Sequence, residues 1–284
     1  MHGFFENPVI WGIYAWILGL CVGSFLNVVA YRLPLMLEKR WQDDCRALLE
    51  QNTAGSSSEV VFNLCLPASH CPHCQQTIRW HENIPLLSWL ALRGRCAHCR
   101  QLISARYPLV EFGTAMLSLV TVMEMGLGWP TAFALLLVWT LIACSIIDLD
   151  RQLLPDDLTL PLLWLGLLLN SQHLYVSAED AILGAVLGYL LLWTVYWLFR
   201  LSTGKEGMGY GDFKLLAALG AWMGWQALPL IILMASLCGA IAGIVYLVMR
   251  RQSLAFPFGP YLAIAGYLFM IERHPLMFLL YGHG

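Results

Sequence analysis

The chain has 284 residues, 59% of them hydrophobic and 12% charged, with a formal net charge of −2 and a mean hydropathy of +0.65. A soluble domain carries about 25% charged residues, so this composition belongs to an integral membrane protein embedded in the lipid bilayer. The near-neutral charge offers no case for a nucleic-acid partner or for a polybasic membrane patch.

Apolar length marks eight candidate spans, at residues 8–31, 107–126, 130–149, 157–173, 179–200, 212–226, 227–249 and 258–271. The expected fold class is an all-α polytopic membrane protein of about eight transmembrane helices, with a cytoplasmic zinc-binding loop domain. The first span, 8–31, has no small-x-small cleavage site after it and reads as a retained helix within a segment 1–31. A polar region, 32–106, follows. Its charged part, 35–52, has the composition of an amphipathic helix, and Thr53 to Ser58 is a small-residue linker.

Beyond the linker, Cys71-Pro72-His73-Cys74 and Cys96-Ala97-His98-Cys99 form two C-x2-C knuckles, separated by residues 75–95. Each knuckle can offer two thiolates to one tetrahedral ion, and two knuckles close the site. A closed four-cysteine zinc centre is structural: it folds the loop and leaves no open position for chemistry. His73 and His98 lie inside the knuckles and are expected to shape the turns. Cys21, Cys144 and Cys238 fall in apolar spans, where a thiol acts as a small hydrophobe.

The remaining spans form a membrane domain over 107–284. Gly184 and Gly188 make a GxxxG on the fifth span, a helix-contact pattern. Fifteen of the 16 Lys and Arg residues lie before residue 107 or in the loops that share that side, and Arg273 alone falls opposite. The positive-inside rule then puts both termini in the periplasm and residues 32–106 in the cytoplasm.

Among the acids, Asp148 closes the apolar run of the third span and Asp212 opens the sixth, at the same depth on the cytoplasmic side. A carboxylate at such a position is a functional candidate by default. Two that share a site cannot both ionise cheaply, which is what an aspartyl protease pair uses. The bland alternative is helix capping, open for Asp212 and the first expectation for Asp156 and Asp157. Asp212 follows Gly207-Met208-Gly209-Tyr210-Gly211, whose alternating glycines suggest a backbone brought close to an acid.

Gly209-Tyr210-Gly211-Asp212 resembles the GxGD motif of intramembrane aspartyl proteases. The longer run Gly207 to Leu215 resembles bacterial type IV prepilin peptidases, as do Ile147-Asp148-Leu149-Asp150-Arg151 through Pro155-Asp156, Gly23-Ser24-Phe25-Leu26-Asn27 with Tyr31-Arg32-Leu33-Pro34, and Arg106-Tyr107-Pro108-Leu109-Val110-Glu111. The matches extend from residue 23 to about 225. The resemblance implies that Asp148 and Asp212 are catalytic, with Gly209 and Gly211 supporting the motif. It implies cleavage of the basic leader of type IV prepilins or type II secretion pseudopilins at the inner membrane. It also implies S-adenosylmethionine-dependent methylation of the new N-terminus, with Gly23, Asn27, Arg32, Gly94 and Glu111 as its residues. A different GxGD protease, or a transporter that relays protons through its aspartates, is the alternative expectation.

Overall fold

The computed structural model describes residues 8–49, 62–205, 207–250 and 257–272. The linker Thr53 to Ser58, both termini, Arg251 and Arg273 lie outside the described residues. Nine α-helices occur among those described: α1 Pro8–Leu49, α2 Leu87–Ala91, α3 Arg106–Met125, α4 Trp129–Arg151, α5 Asp156–Asn170, α6 Ala178–Thr203, α7 Tyr210–Met223, α8 Leu228–Arg250 and α9 Gly259–Ile271. Pairing of extended backbone among them is confined to two isolated bridges in the cysteine region.

Each of the eight expected spans folds as a helix, yet among the described residues only five helical stretches are long and apolar enough to cross a bilayer: Val9–Leu49, Arg106–Met125, Trp129–Arg151, Ala178–Thr203 and Trp225–Tyr246. Helices α5, α7 and α9 have 15, 14 and 13 residues. At 1.5 Å per residue α7 extends about 21 Å, short of the ~30 Å hydrocarbon core. Its burial explains the length. Phe213, Leu215, Leu216, Ala218, Leu219 and Ala221 have no exposed surface at all, because α5, α6 and α9 pack around α7. A helix enclosed by protein need not match the bilayer.

The first span and the charged stretch 35–52 are continuous as one helix up to Leu49. Helix α1 runs unbroken to Leu49 with Pro34 inside it. A proline there forfeits one bond to the preceding turn, and the flanking helix-forming residues carry the helix past it.

The chain clusters into two compact units, Met1–Met123 and Glu124–Gly284. In the first, α1 and α3 approach closely: a Cβ on Gly19 would stand 2.6 Å from Ala115 Cα, and one on Gly23 2.7 Å from Glu111 Cα. In the second, the GxxxG of α6 meets α7 backbone to backbone, with Gly184 against the Gly220 carbonyl and Gly188 against that of Leu216. Local signals set the helix ends. Ser177 caps α6 by accepting from Asp180 N at 3.1 Å, and Gly204, at φ 68°, closes it. Gln152 ends α4 in the left-handed region and returns its N–H to the Asp148 carbonyl at 2.9 Å.

Candidate functional site

Asp148 sits in the last turn of α4 and Asp212 in the first turn of α7, and both are buried, at 5% and 7% exposure. Asp212 is not the cap of α7. Gly209 holds that position, and Asp212 is drawn into the first turn, with its N–H directed to the Gly209 carbonyl at 3.3 Å. The charge of Asp148 acts on Asp212, as does the Gly209 backbone N–H. Asp150, two residues on, is exposed.

Two further segments complete this surround. Gly259 N, at the start of α9, donates to Asp148 Oδ2 at 2.9 Å. Leu154, in the turn between α4 and α5, fills the space between Gly211 and Gly259: it lies 2.6 Å from where a Gly211 Cβ would be and 3.2 Å from a Gly259 Cβ. Gly211 therefore admits a neighbouring side chain. Gly207 faces the Phe199 ring in the same way, at 2.8 Å. Asp212 Oδ1 is buried and has no hydrogen-bond partner among the described residues.

Sequence reasoning missed Gly259 and Leu154. The only written signal at the first is a glycine between prolines, in Pro257-Phe258-Gly259-Pro260. It also missed an ion pair two residues from Asp212. Lys214 Nζ reaches Asp156 at 2.6 and 2.8 Å. Asp156 is thus not a capping residue: Pro155 occupies the N-cap of α5, and Asp156 opens the first turn.

The cysteines converge in the other unit. Among the described residues, the Sγ atoms of Cys71, Cys74, Cys96 and Cys99 form a group within 4.8 Å of one another, and Cys71 and Cys99 are 3.8 Å apart. Sulfurs 2.3 Å from a tetrahedral zinc stand about 3.8 Å apart, so this set fits such an ion. The two knuckles repeat one another bond for bond. Cys71 N donates to Gln76 O at 3.0 Å and Cys96 N to Gln101 O at 2.9 Å; Gln75 and Arg100 follow with φ 59° and 62°. The N–H groups of Cys74 and His73 pull the Cys71 thiol down to about 6. For Cys99 the Gln101 N–H pulls down too, yet burial and the three neighbouring cysteines push it up to about 11. Four thiols so crowded cannot all ionise without a cation between them. His73 and His98 are exposed.

Of the five residues tied to methyl transfer, three come together. Asn27 Nδ2 donates to Gly23 O at 3.2 Å and to Tyr107 O at 3.3 Å, and Gly23 lies against Glu111. Glu111, buried in α3, accepts from Leu86 N at 2.8 Å. Arg32 lies apart from these bonds, with its guanidinium on the carbonyls of Asn63, Leu64 and Pro67 at 3.0, 3.4 and 2.6 Å. Gly94, at φ 67°, turns the chain before Cys96 and would bring a Cβ 2.9 Å from the Trp89 ring.

By fold and site, the chain is a multi-pass helical membrane protein with two buried aspartates and a four-thiol cluster that could hold a metal ion. Residues 17–125 match the bacterial peptidase A24 N-terminal domain, and residues 135–244 match the type IV leader peptidase family. A protein of Stutzerimonas stutzeri named prepilin leader peptidase/N-methyltransferase is 56% identical over 268 residues, 94% of this chain and 92% of its own. Proteins of the same name from Aeromonas hydrophila and Pseudomonas aeruginosa are 56% and 53% identical over 266 and 268 residues, covering 93% and 94% of this chain and 91% and 92% of their own. No solved structure matches. The chain belongs to the type IV leader peptidase family.

Proposed function

We propose that this protein cleaves the basic leader of prepilins or type II secretion pseudopilins and then methylates the exposed N-terminus, with Asp148 and Asp212 as the protease pair. The observation that supports the pair most directly is the burial of both acids close enough that the charge of Asp148 bears on Asp212, in a chain of this family. One aspartate is ionised and the other protonated. Water attacks the scissile carbonyl carbon; its proton passes to the ionised carboxylate as the new C–O bond forms. The carbonyl π pair moves onto oxygen, which takes the proton of the other aspartate. Collapse of that tetrahedral centre breaks the C–N bond and returns a proton to the leaving amine.

The positive-inside partition supports a multi-pass inner-membrane enzyme of eight spans. Both termini are then periplasmic, 32–106 forms a cytoplasmic domain and 107–284 the membrane domain. On that side a basic leader meets the Asp148 and Asp212 ends. Zinc held by Cys71, Cys74, Cys96 and Cys99 would stabilise the cytoplasmic loop and take no part in cleavage. When bound, S-adenosylmethionine would supply an electrophilic methyl group: the new amine would form the N–C bond as the sulfonium S–C bond breaks, releasing the neutral thioether and a proton from the amine. Glu111, with Asn27 and Gly23 beside it, is the carboxylate placed to orient the amine or attract the sulfonium; Arg32 and Gly94 shape the loop nearby in sequence. A transporter finds no support in a family of leader peptidases.

The test uses purified full-length protein, a prepilin and labelled S-adenosylmethionine, scored for cleavage and methyl transfer. Asp148→Asn and Asp212→Asn should each lower cleavage by at least about 10²-fold, because neither amide can exchange the proton. A variant that cleaves at near the wild-type rate removes its residue from the pair.

A further inference from the structure

The two aspartates have unequal surroundings, and the inequality originates in α9. Gly259 begins that helix, so its N–H has no partner within it, and Pro260 next to it offers no N–H at all. This unspent donor is the one Asp148 Oδ2 receives, at 2.9 Å and fully buried. Asp148 occupies the carbonyl end of α4, where the helix dipole opposes a negative charge. A donor from the amino end of a second helix offsets that, and a backbone N–H given to a carboxylate favours its ionised form.

Asp212 is placed the other way round. The first turn of α7 and the Gly209 backbone N–H favour charge on Asp212, but that N–H leaves Oδ1 unserved: this oxygen is buried with no donor among the described residues. A dipole end is a weaker influence than a buried carboxylate oxygen left without a donor. The orphaned oxygen is therefore cheaper to keep on a neutral group.

We propose that the Gly259 backbone amide is a positioning group of the dyad: by donating to Asp148 Oδ2 it holds Asp148 as the ionised partner and leaves the shared proton on Asp212. Asp148 then takes the proton from the attacking water, and Asp212 gives its proton to the carbonyl oxygen of the scissile bond. This assignment rests on the protease pair proposed above. It also explains why residue 259 has no side chain. A Cβ there would stand 2.7 Å from Asp148 Oδ2 and 3.3 Å from its Cγ, so the carboxylate would have to swing off the N–H. Among the described residues, Asp212 from α7 and Cys144 from its own helix are titratable groups that bear on Asp148. Helix α9 presents the Gly259 amide to it, and Asp156 and Asp157 lie in the exposed first turn of α5, the former paired with Lys214.

Gly259→Ala tests this in the full-length enzyme. Cleavage kcat should fall by about 10–10²-fold with KM close to wild type, as for a misplaced catalytic group. The acidic limb of the pH–rate profile, which belongs to the pair, should move to higher pH, because Asp148 without its donor ionises less readily. Gly266→Ala is the matched control. Also on α9, it places a Cβ 2.7 Å from Leu219 Cδ2 of α7, seven residues beyond Asp212, and should leave the acidic limb in place. A wild-type profile for Gly259→Ala, or equal shifts in both variants, overturns the proposal. If Gly259→Ala does not fold, the wild-type protein decides. Labelling with 15N-glycine and carbonyl-13C-phenylalanine selects Phe112-Gly113 and Phe258-Gly259, and Gly113→Ala assigns them. The Gly259 amide proton should lie at low field, titrate with cleavage and move on Asp148→Asn; an amide indifferent to both overturns the proposal. Failure of the pair itself reads differently, as Asp148→Asn or Asp212→Asn that still cleaves.

Discussion

Gly211 stands where an added Cβ would lie 2.6 Å from Leu154 Cβ and 3.3 Å from the Leu154 carbonyl oxygen, whereas a Cβ on Gly209 would meet nothing closer than Asp212 Oδ2 at 3.8 Å. Gly209 also has an ordinary extended conformation, φ −81° and ψ 148°. Alanine at 211 must push α7 off the turn after α4, and overpacking of that kind costs about 1–3 kcal/mol. Displacing a catalytic carboxylate by about 1 Å can cost about 10²-fold in rate. Cleavage assays should therefore show Gly211→Ala reduced about 10²-fold and Gly209→Ala near wild type. Equal loss at both positions would mean that the glycines serve the approach of the substrate backbone instead. The alternation of glycines announced a close approach, but not what approaches. Leu154 and Gly259 were illegible for a plain reason: Gly259 is 111 positions from the Asp148 it serves, and a backbone N–H leaves no mark on the residue type beyond the absence of a side chain.

At the scale of elements, the four-cysteine cluster was the most legible feature, because a C-x2-C spacing dictates a local turn whatever surrounds it. The structure adds the mirrored hydrogen bonds of the two knuckles and the convergence of all four sulfurs. Metal analysis of the purified protein should find about one zinc per chain. Cys96→Ser with Cys99→Ser should lose it and make residues 62–105 more sensitive to protease, since the ion's binding energy is part of the loop's folding energy. Full zinc content in that double variant would rule out this ligand set. Helix lengths were less legible. Hydropathy measures apolar run length, and it cannot tell a helix that faces lipid from one that faces other helices. That is why the enclosure of α7 by other helices was not legible in its apolar run, and why the first span was bounded at the polar boundary that α1 crosses. The GxxxG of α6 was legible as a contact, though its partner, Gly220 of α7, was not.

For the whole molecule, the proposed orientation and the division of labour are testable separately. Single cysteines in a cysteine-depleted chain should resist an impermeant periplasmic reagent at Thr203 and react at Ser171; the reverse would invert the topology and take the aspartates away from the leader. The residues proposed for the two activities lie in different units. Asp148, Asp212, Leu154, Gly211 and Gly259 all belong to the unit Glu124–Gly284, while Gly23, Asn27, Arg32, Gly94 and Glu111 all belong to Met1–Met123. Glu111→Gln keeps nearly the same volume and can still accept from Leu86 N, so the bond that holds the 84–88 turn to α3 survives while the charge goes. A charge that orients an amine or attracts a sulfonium is worth about 1.5–3 kcal/mol as a charged hydrogen bond, so methylation should fall by about 10–10²-fold. Cleavage should continue, and Asp212→Asn should still methylate a pilin supplied already cleaved. Mass spectrometry of the mature N-terminus separates a cleaved, unmethylated product from an uncleaved one. Full methylation by Glu111→Gln would take that residue out of the second activity. Loss of both activities with zinc retained would mean that the units act as one catalytic body; loss of both with zinc also gone would mean that Glu111 serves the fold of its own unit.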